Sequence, residues 1–138
     1  MRKLGIDYGD SRVGVAMTDP LNITAQGLET IQRNGSDKIV LRRLDEILAQ
    51  YEIDTIVVGM PLNLKGEKTV RAQVTEQFIH KLKCKYNKLK IETIDERLTT
   101  VAAHKTMNFL DINKNKKRDI VDTISAVYIL ETYINKNK

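Results

Sequence analysis

Three carboxylates in this chain stand where a carboxylate is costly. Asp7 interrupts the run Leu4, Gly5, Ile6 and is followed by Tyr8, a strand type that excludes Asp because burying its charge is unfavourable. Glu96 follows Asp95 directly after the alternating stretch 89–94. Asp122, at 100° per residue, projects in the same direction as Ala126, Ile129 and Tyr133, on a helix that is apolar nearly all round. Each has a plainer alternative: a hairpin cap for Asp7, a helix-dipole contact for Glu96, and dipole pairing or a bond to Arg118 for Asp122. Carboxylates with no accompanying pair of His or Cys suit hard cations, Mg²⁺ or Mn²⁺, which take oxygen ligands. Asp119 reads as the N-cap of the helix that carries Asp122, although it could also face the same site one turn away.

Other chemistries find little support. His80 and His104 fall on separate predicted helices, with no Cys or His at ligand spacing to either, so zinc is not expected. The single cysteine, Cys84, lies between Lys83 and Lys85 and reads as a reduced structural thiol without metal-ligand neighbours. No Ser–His–Asp set, Walker loop or dinucleotide glycine fingerprint is present. The formal charge is +5, and the excess is clustered at Lys81, Lys83, Lys85, Lys88 and Lys90 and again at Lys114, Lys116, Lys117 and Arg118. Such clusters can bind phosphates by releasing counterions. The bland reading is a solvated helix end for the first cluster and a flexible loop for the second. The basic surface beside carboxylates that suit Mg²⁺ points to phosphodiesters as the substrate class.

Positioning these acids requires a sheet. Strands are predicted over 3–8 and 13–18, joined by a turn at 9–12, and a third over about 23–32. An amphipathic helix over 36–51, capped by Ser36 or Asp37, repeats Ile39, Val40, Leu44, Ile47 and Leu48. A β-branched strand over 55–59 leads into a loop over 60–66, then a helix over about 67–86 and a strand over 89–94. Thr99 or Thr100 caps a short helix through about 107, the basic loop follows, and a last helix runs over about 120–134. Hairpins make the first three strands antiparallel, and helical crossovers make the fourth and fifth parallel. The expectation is an α/β fold with a mixed five-stranded sheet flanked by helices, forming a single domain over 1–138. Ligands collect at the carboxyl ends of parallel strands, where Asp7 and Glu96 both fall. No apolar run approaches the ~18 residues that span a bilayer, and the opening residues do not form a signal peptide, so a cytoplasmic protein is expected.

Gly5, Ile6, Asp7, Tyr8, Gly9, then Arg12, Val13, Gly14, Val15, Ala16 and Asp19 resemble the opening motif of the YqgF family. Val58 to Asn63 with Gly66 resembles its second motif, Asp95 to Thr100 its third, and Asp122 to Ala126 with Ile129 and Leu130 its last. Members are described as nucleases of precursor 16S rRNA and, earlier, as Holliday junction resolvases. The resemblance covers nearly the whole chain, in order. It implies an RNase H-like fold, 5′-end maturation of small-subunit ribosomal RNA, and catalysis by Asp7, Glu96 and Asp122. It also implies that Arg12, Asn63 and Arg97 help to hold the nucleic acid or the site. Asp119 with Asp122 is similar to the paired acids on the last helix of RuvC-type resolvases, which leaves open a fourth ligand.

The expected mechanism is hydrolysis with two metal ions about 4 Å apart, bridged by Asp7 and completed by Glu96 and Asp122. Lys116, Lys117 and Arg118 are the candidate phosphate contacts beside them. The partner is then nucleic acid, precursor rRNA or branched DNA, and the protein a monomer or weak homodimer. Two rivals come from other classes. ATPases of the actin and sugar-kinase type open with a similar strand but close two domains on the nucleotide. A non-cleaving binding module would be weakened by acids left in its groove.

Overall fold

The computed structural model describes residues 1–62, 65, 67, 69–96 and 114–137, with 114–122 described as backbone alone. Alternation of apolar and small residues builds β1 (Arg2–Tyr8) and β2 (Arg12–Thr18). The turn between them is closed by Gly9, whose N–H donates to the Arg12 carbonyl at 2.9 Å; a Cβ there would collide with that same carbonyl. β3 (Ala25–Gln32) starts two residues later than its alternation predicts. Asp19 Oδ1 accepts from the backbone N–H of Ile23 (2.7 Å) and Thr24 (3.0 Å), and Asn22 takes φ 57°, so these residues form a turn and not a ladder.

Helix α1 (Asp37–Gln50) is capped by Ser36, which accepts from Lys38 N–H, and buries Val40, Leu44 and Ile47. β4 (Ile53–Met60) is a β-branched run buried on both faces. Helix α2 (Val70–Lys85) is capped by Thr69, and its first residue lies three residues inside the predicted boundary. β5 (Lys90–Asp95) follows, and helix α3 (Lys114–Lys136) closes the chain.

The start of α3 corrects the sequence reading. Lys114, Lys116, Lys117 and Arg118 do not form a loop; they occupy the first turns of α3, and Asp119 lies inside the helix instead of capping it. Lys and Arg are good helix formers, and no Gly or Pro interrupts 114–136. The short helix expected through 107 lies outside the described residues.

The sheet order is β3-β2-β1-β4-β5, with β1 antiparallel to β2, β2 antiparallel to β3, and β1–β4 and β4–β5 parallel. This is the mixed five-stranded arrangement expected. On one face Leu4, Ile6, Val13, Val15, Ile56 and Val58 pack with Val40, Leu44 and Ile47 of α1 and Phe78 and Leu82 of α2. On the other, Ala16, Val57 and Ile94 pack with Ala126, Ile129, Leu130 and Tyr133 of α3. α3 approaches closely because three neighbouring strands present a row of small residues, Gly5, Ala16 and Gly27, in register. A Cβ on Gly5 would lie 2.5 Å from Leu130 Cγ and 2.9 Å from the Ala126 carbonyl, and one on Gly27 would lie 2.8 Å from Thr123 Cγ2.

Candidate active site

Strand alternation decides which way Asp7 faces. Leu4, Ile6 and Tyr8 belong to the core under α1 and α2, so Gly5 and Asp7 point to the α3 side. Asp7 is half-buried and pairs across with Gly14 of β2. On its other side the β1–β4 register ends at Ile6 with Val58, which sets Asp7 level with Gly59 of β4. The acid therefore lies between two residues that have no side chain. β4 pairs with β5 through Gly59 with Ile94 and Met60 with Asp95, and Glu96 is the next residue, also half-buried.

Gly59 links the two acids. A Cβ built on it would stand 3.6 Å from the Glu96 carboxyl carbon and 2.5 Å from Ile129 Cδ1 of α3. Two strand spacings separate β1 from β5, roughly 10 Å, and the strand between them contributes only hydrogen at this level. Asp7 and Glu96 thus flank Gly59 at the carboxyl ends of parallel strands, which is where ligands of α/β sheets bind, and Ile129 of α3 packs directly over the glycine. Asp122 lies on α3 one turn before Ala126, whose carbonyl faces Gly5, two residues from Asp7 on β1. The structure thus brings Asp7 and Glu96 to one edge. It carries the helical position of Asp122 to that face of the sheet, while the side chains of Asp122 and Asp119 are outside the described residues. An all-oxygen donor set, with Asp7 and Glu96 on either side of a residue that has no side chain, fits small hard cations.

Behind Asp7, on the opposite face, is a network that sequence reasoning missed. The Tyr8 ring stacks on Phe78, with centroids 4.2 Å apart, and its hydroxyl donates to Asp37 Oδ1 at 2.5 Å. Asp37 also accepts from Arg33 Nε and Lys81 Nζ, each at 2.8 Å. Burial opposes its charge, but the bonds from Lys81, Tyr8 and Arg33 outweigh that and hold the carboxyl at about 2. Burial and the bond to Asp37 push the Tyr8 hydroxyl up to about 12. Arg71, in the first turn of α2, donates to the Tyr8 carbonyl and to Asp10 Oδ1, both at 2.5 Å. Asp37 was legible only as a helix-start residue, and nothing in the sequence around Arg71 marks it.

The remaining expected site residues divide. Arg12 opens β2 opposite Gln32, half-buried, and its carbonyl closes the turn that follows Asp7. Asn63 and Arg97 lie outside the described residues, and Lys116, Lys117 and Arg118 are placed only as positions in the opening of α3. In the first lysine cluster, Lys81 pairs with Asp37, Lys85 with Asp45 and Lys90 with Glu92, which favours the structural reading there. The reading of Cys84 as having no ligand-type neighbour is corrected. His80 precedes it by four residues on α2, so one helical face brings Nε2 within 3.6 Å of Sγ. Among the described residues no three His, Cys, Asp or Glu side chains come together as a metal cluster.

Comparisons with known proteins agree with this architecture. The chain is 52% identical over 136 residues to a candidate pre-16S rRNA nuclease of Ruminiclostridium cellulolyticum, covering 99% of this chain and 95% of that protein. It is 46% identical to a protein of the same description from Acetivibrio thermocellus, over 98% of this chain and 96% of that one. Among solved structures it superimposes on RuvC of T. thermophilus bound to a Holliday junction substrate with TM-score 0.60, 13% identity, and coverage of 99% and 96%. The fowlpox virus Holliday junction resolvase gives TM-score 0.59 at 13% identity over 100% of both chains. These likenesses show the RNase H-like fold expected from the motifs. A family model described as "RuvX: Holliday junction resolvase" matches residues 1–136, and the chain belongs to that RuvX family, which its motifs resemble under the name YqgF.

Proposed function

We propose that this protein is a divalent-metal-dependent endonuclease that hydrolyses phosphodiester bonds in nucleic acid, with precursor 16S rRNA as its substrate and 5′-end maturation as its role. The observation that carries the reading is the placement of Asp7 and Glu96 on either side of Gly59 at the carboxyl ends of parallel strands. Curated relatives named for cleavage of pre-16S rRNA support the substrate. Asp7, Glu96 and Asp122 would hold Mg²⁺ or Mn²⁺. Bound there, such ions supply Lewis acidity at the phosphoryl group and at the leaving oxygen. Asp7 would offer its carboxylate from the end of a central strand, Glu96 from the end of β5 and Asp122 from α3. Arg12, Asn63, Arg97, Lys116, Lys117 and Arg118 would hold the substrate backbone. No histidine is required as a base and no covalent intermediate would form: in-line attack of water on phosphorus, with cleavage of the P–O3′ bond and protonation of the departing oxygen, would leave a 5′-phosphate and a 3′-hydroxyl.

The family description and the structural neighbours named for Holliday junctions favour a second reading, resolution of branched DNA. Labelled precursor rRNA and a labelled four-way junction, each with Mg²⁺, Mn²⁺ or EDTA, test both. Metal-dependent cleavage of the RNA alone supports the first reading, and cleavage of the junction alone supports the second. Failure to cut either would leave a non-cleaving binder. No described helix is long and apolar enough to cross a membrane; the reading places the protein in the cytoplasm, as a monomer or weak homodimer.

A further inference from the structure

We propose that Arg71 is a positioning residue for Asp7: its guanidinium takes over from strand β4 where the sheet ladder ends and fixes the backbone that carries the metal ligand. The inference rests on the proposed role of Asp7 as a ligand.

The Tyr8–Gly9 peptide is trans, so its N–H and C=O point in opposite directions. The N–H points to β2, where it donates to the Arg12 carbonyl at 2.9 Å. The Tyr8 carbonyl therefore faces the β4 side. There the β1–β4 register has already ended at Ile6 with Val58, and a carbonyl at a strand end needs another donor. Arg71 supplies it, NH2 to Tyr8 O at 2.5 Å, a charge-assisted bond of the stronger class.

The second arm, NH1 to Asp10 Oδ1, reaches a side chain that is 87% exposed, and a pair at such a surface contributes little. Its geometric effect is to hold the guanidinium plane across the turn. The Tyr8 side chain is meanwhile fixed by Phe78 and Asp37. The residue after Asp7 is thus held at its carbonyl, at the following N–H and at its ring. Asp7 itself, on the opposite face between Gly14 and Gly59, has no side-chain neighbour in register on either adjacent strand. The backbone that Arg71 holds is the one from which the Asp7 side chain is aimed, and removing outer support from a metal ligand typically weakens metal binding by about 10- to 100-fold.

Arg71→Ala, Arg71→Lys, Asp10→Asn and Asp7→Asn are compared with wild type by Mn²⁺ titration without substrate, by amide exchange at Gly9 N–H without metal, and by thermal melts. The Arg71→Ala protein is expected to stay folded, to bind Mn²⁺ about 10-fold or more weakly, and to exchange Gly9 N–H faster. Its activity should return at saturating Mn²⁺, so that the metal requirement moves and kcat does not. Arg71→Lys, which can still reach one acceptor, is expected to recover part of the affinity and guards against a global unfolding effect. Asp10→Asn, which keeps the Oδ1 acceptor and loses only an exposed charge, should bind as wild type does. Unchanged Mn²⁺ affinity and Gly9 exchange in both Arg71 variants would overturn the proposal while leaving the nuclease reading intact. Wild-type Mn²⁺ binding that persists in Asp7→Asn would instead overturn the reading of the site, and this inference with it.

Discussion

At the scale of single residues, Asp7 is the acid whose setting is most constrained: half-buried on a central strand, with Gly14 and Gly59 beside it. Asp7→Asn, Glu96→Gln and Asp122→Asn each remove a charged oxygen and almost no volume. Each is expected to abolish cleavage with the circular dichroism spectrum unchanged, whereas Asp119→Asn should be milder; full activity in the Asp122 variant would remove it from the ligand set. Carboxylates gathered on one sheet edge repel one another when no cation lies between them. Asp7→Asn should therefore melt at or above the wild-type temperature in EDTA, yet gain much less than wild type from Mn²⁺. A native-only ligand at a hundred times its dissociation constant adds about 2.7 kcal/mol, and melts at pH 7 with and without Mn²⁺ read the difference. An Asp7→Asn protein that gains as much as wild type would place the ions elsewhere.

At the scale of elements, Asp37 ties the start of α1 to β1 through Tyr8 and to α2 through Lys81. Its carboxyl is held near 2 in the fold, below its value of about 3.9 in an unfolded chain. A depressed carboxylate stabilises the fold above the unfolded pKa, and that contribution disappears as pH falls through the folded one. The difference, on the order of 2 kcal/mol, should be lost between about pH 4 and pH 2. Acid titration of Asp37→Asn should then show a shallower loss of stability over that window; an identical slope would mean the network contributes nothing. The strands were legible because alternation survives burial, and Asp7 and Glu96 were legible because charge is conspicuous at a strand end. The flanking of Asp7 by two glycines was not, since the alignment of Gly14 and Gly59 with it exists only once pairing fixes the register. The start of α3 was misread because a run of Lys and Arg has the polarity of a loop and the propensity of a helix. Cys84 was misread because its neighbour is four residues away along α2 and not adjacent in sequence.

At the scale of the whole molecule, the basic residues separate by partner. Lys81, Lys85 and Lys90 are engaged by carboxylates of the protein itself, which leaves the opening of α3 as the stronger candidate for backbone phosphates. Affinity for RNA should fall with salt by a slope of about 0.7 per contact on single strands, or about 0.9 on duplex DNA. Neutralising Lys116, Lys117 and Arg118 should flatten it. No change at all would mark this end of α3 as solvated surface. α3 has a further property. It docks on the sheet through Ala126, Ile129, Leu130 and Tyr133, packed with Ala16, Val57 and Ile94. Native proteins open locally as well as globally, and an excursion of α3 away from the sheet would separate Asp122 from the strand ends that carry Asp7 and Glu96. If Asp122 shares cations with Asp7 and Glu96, the metal is also a latch: each binding event ties the last helix to two strand ends and closes that excursion. Amide exchange in the second half of α3 should slow on adding Mn²⁺ in wild type but not in Asp122→Asn, so that occupancy of the site could be followed by the breathing of one helix, with no substrate present.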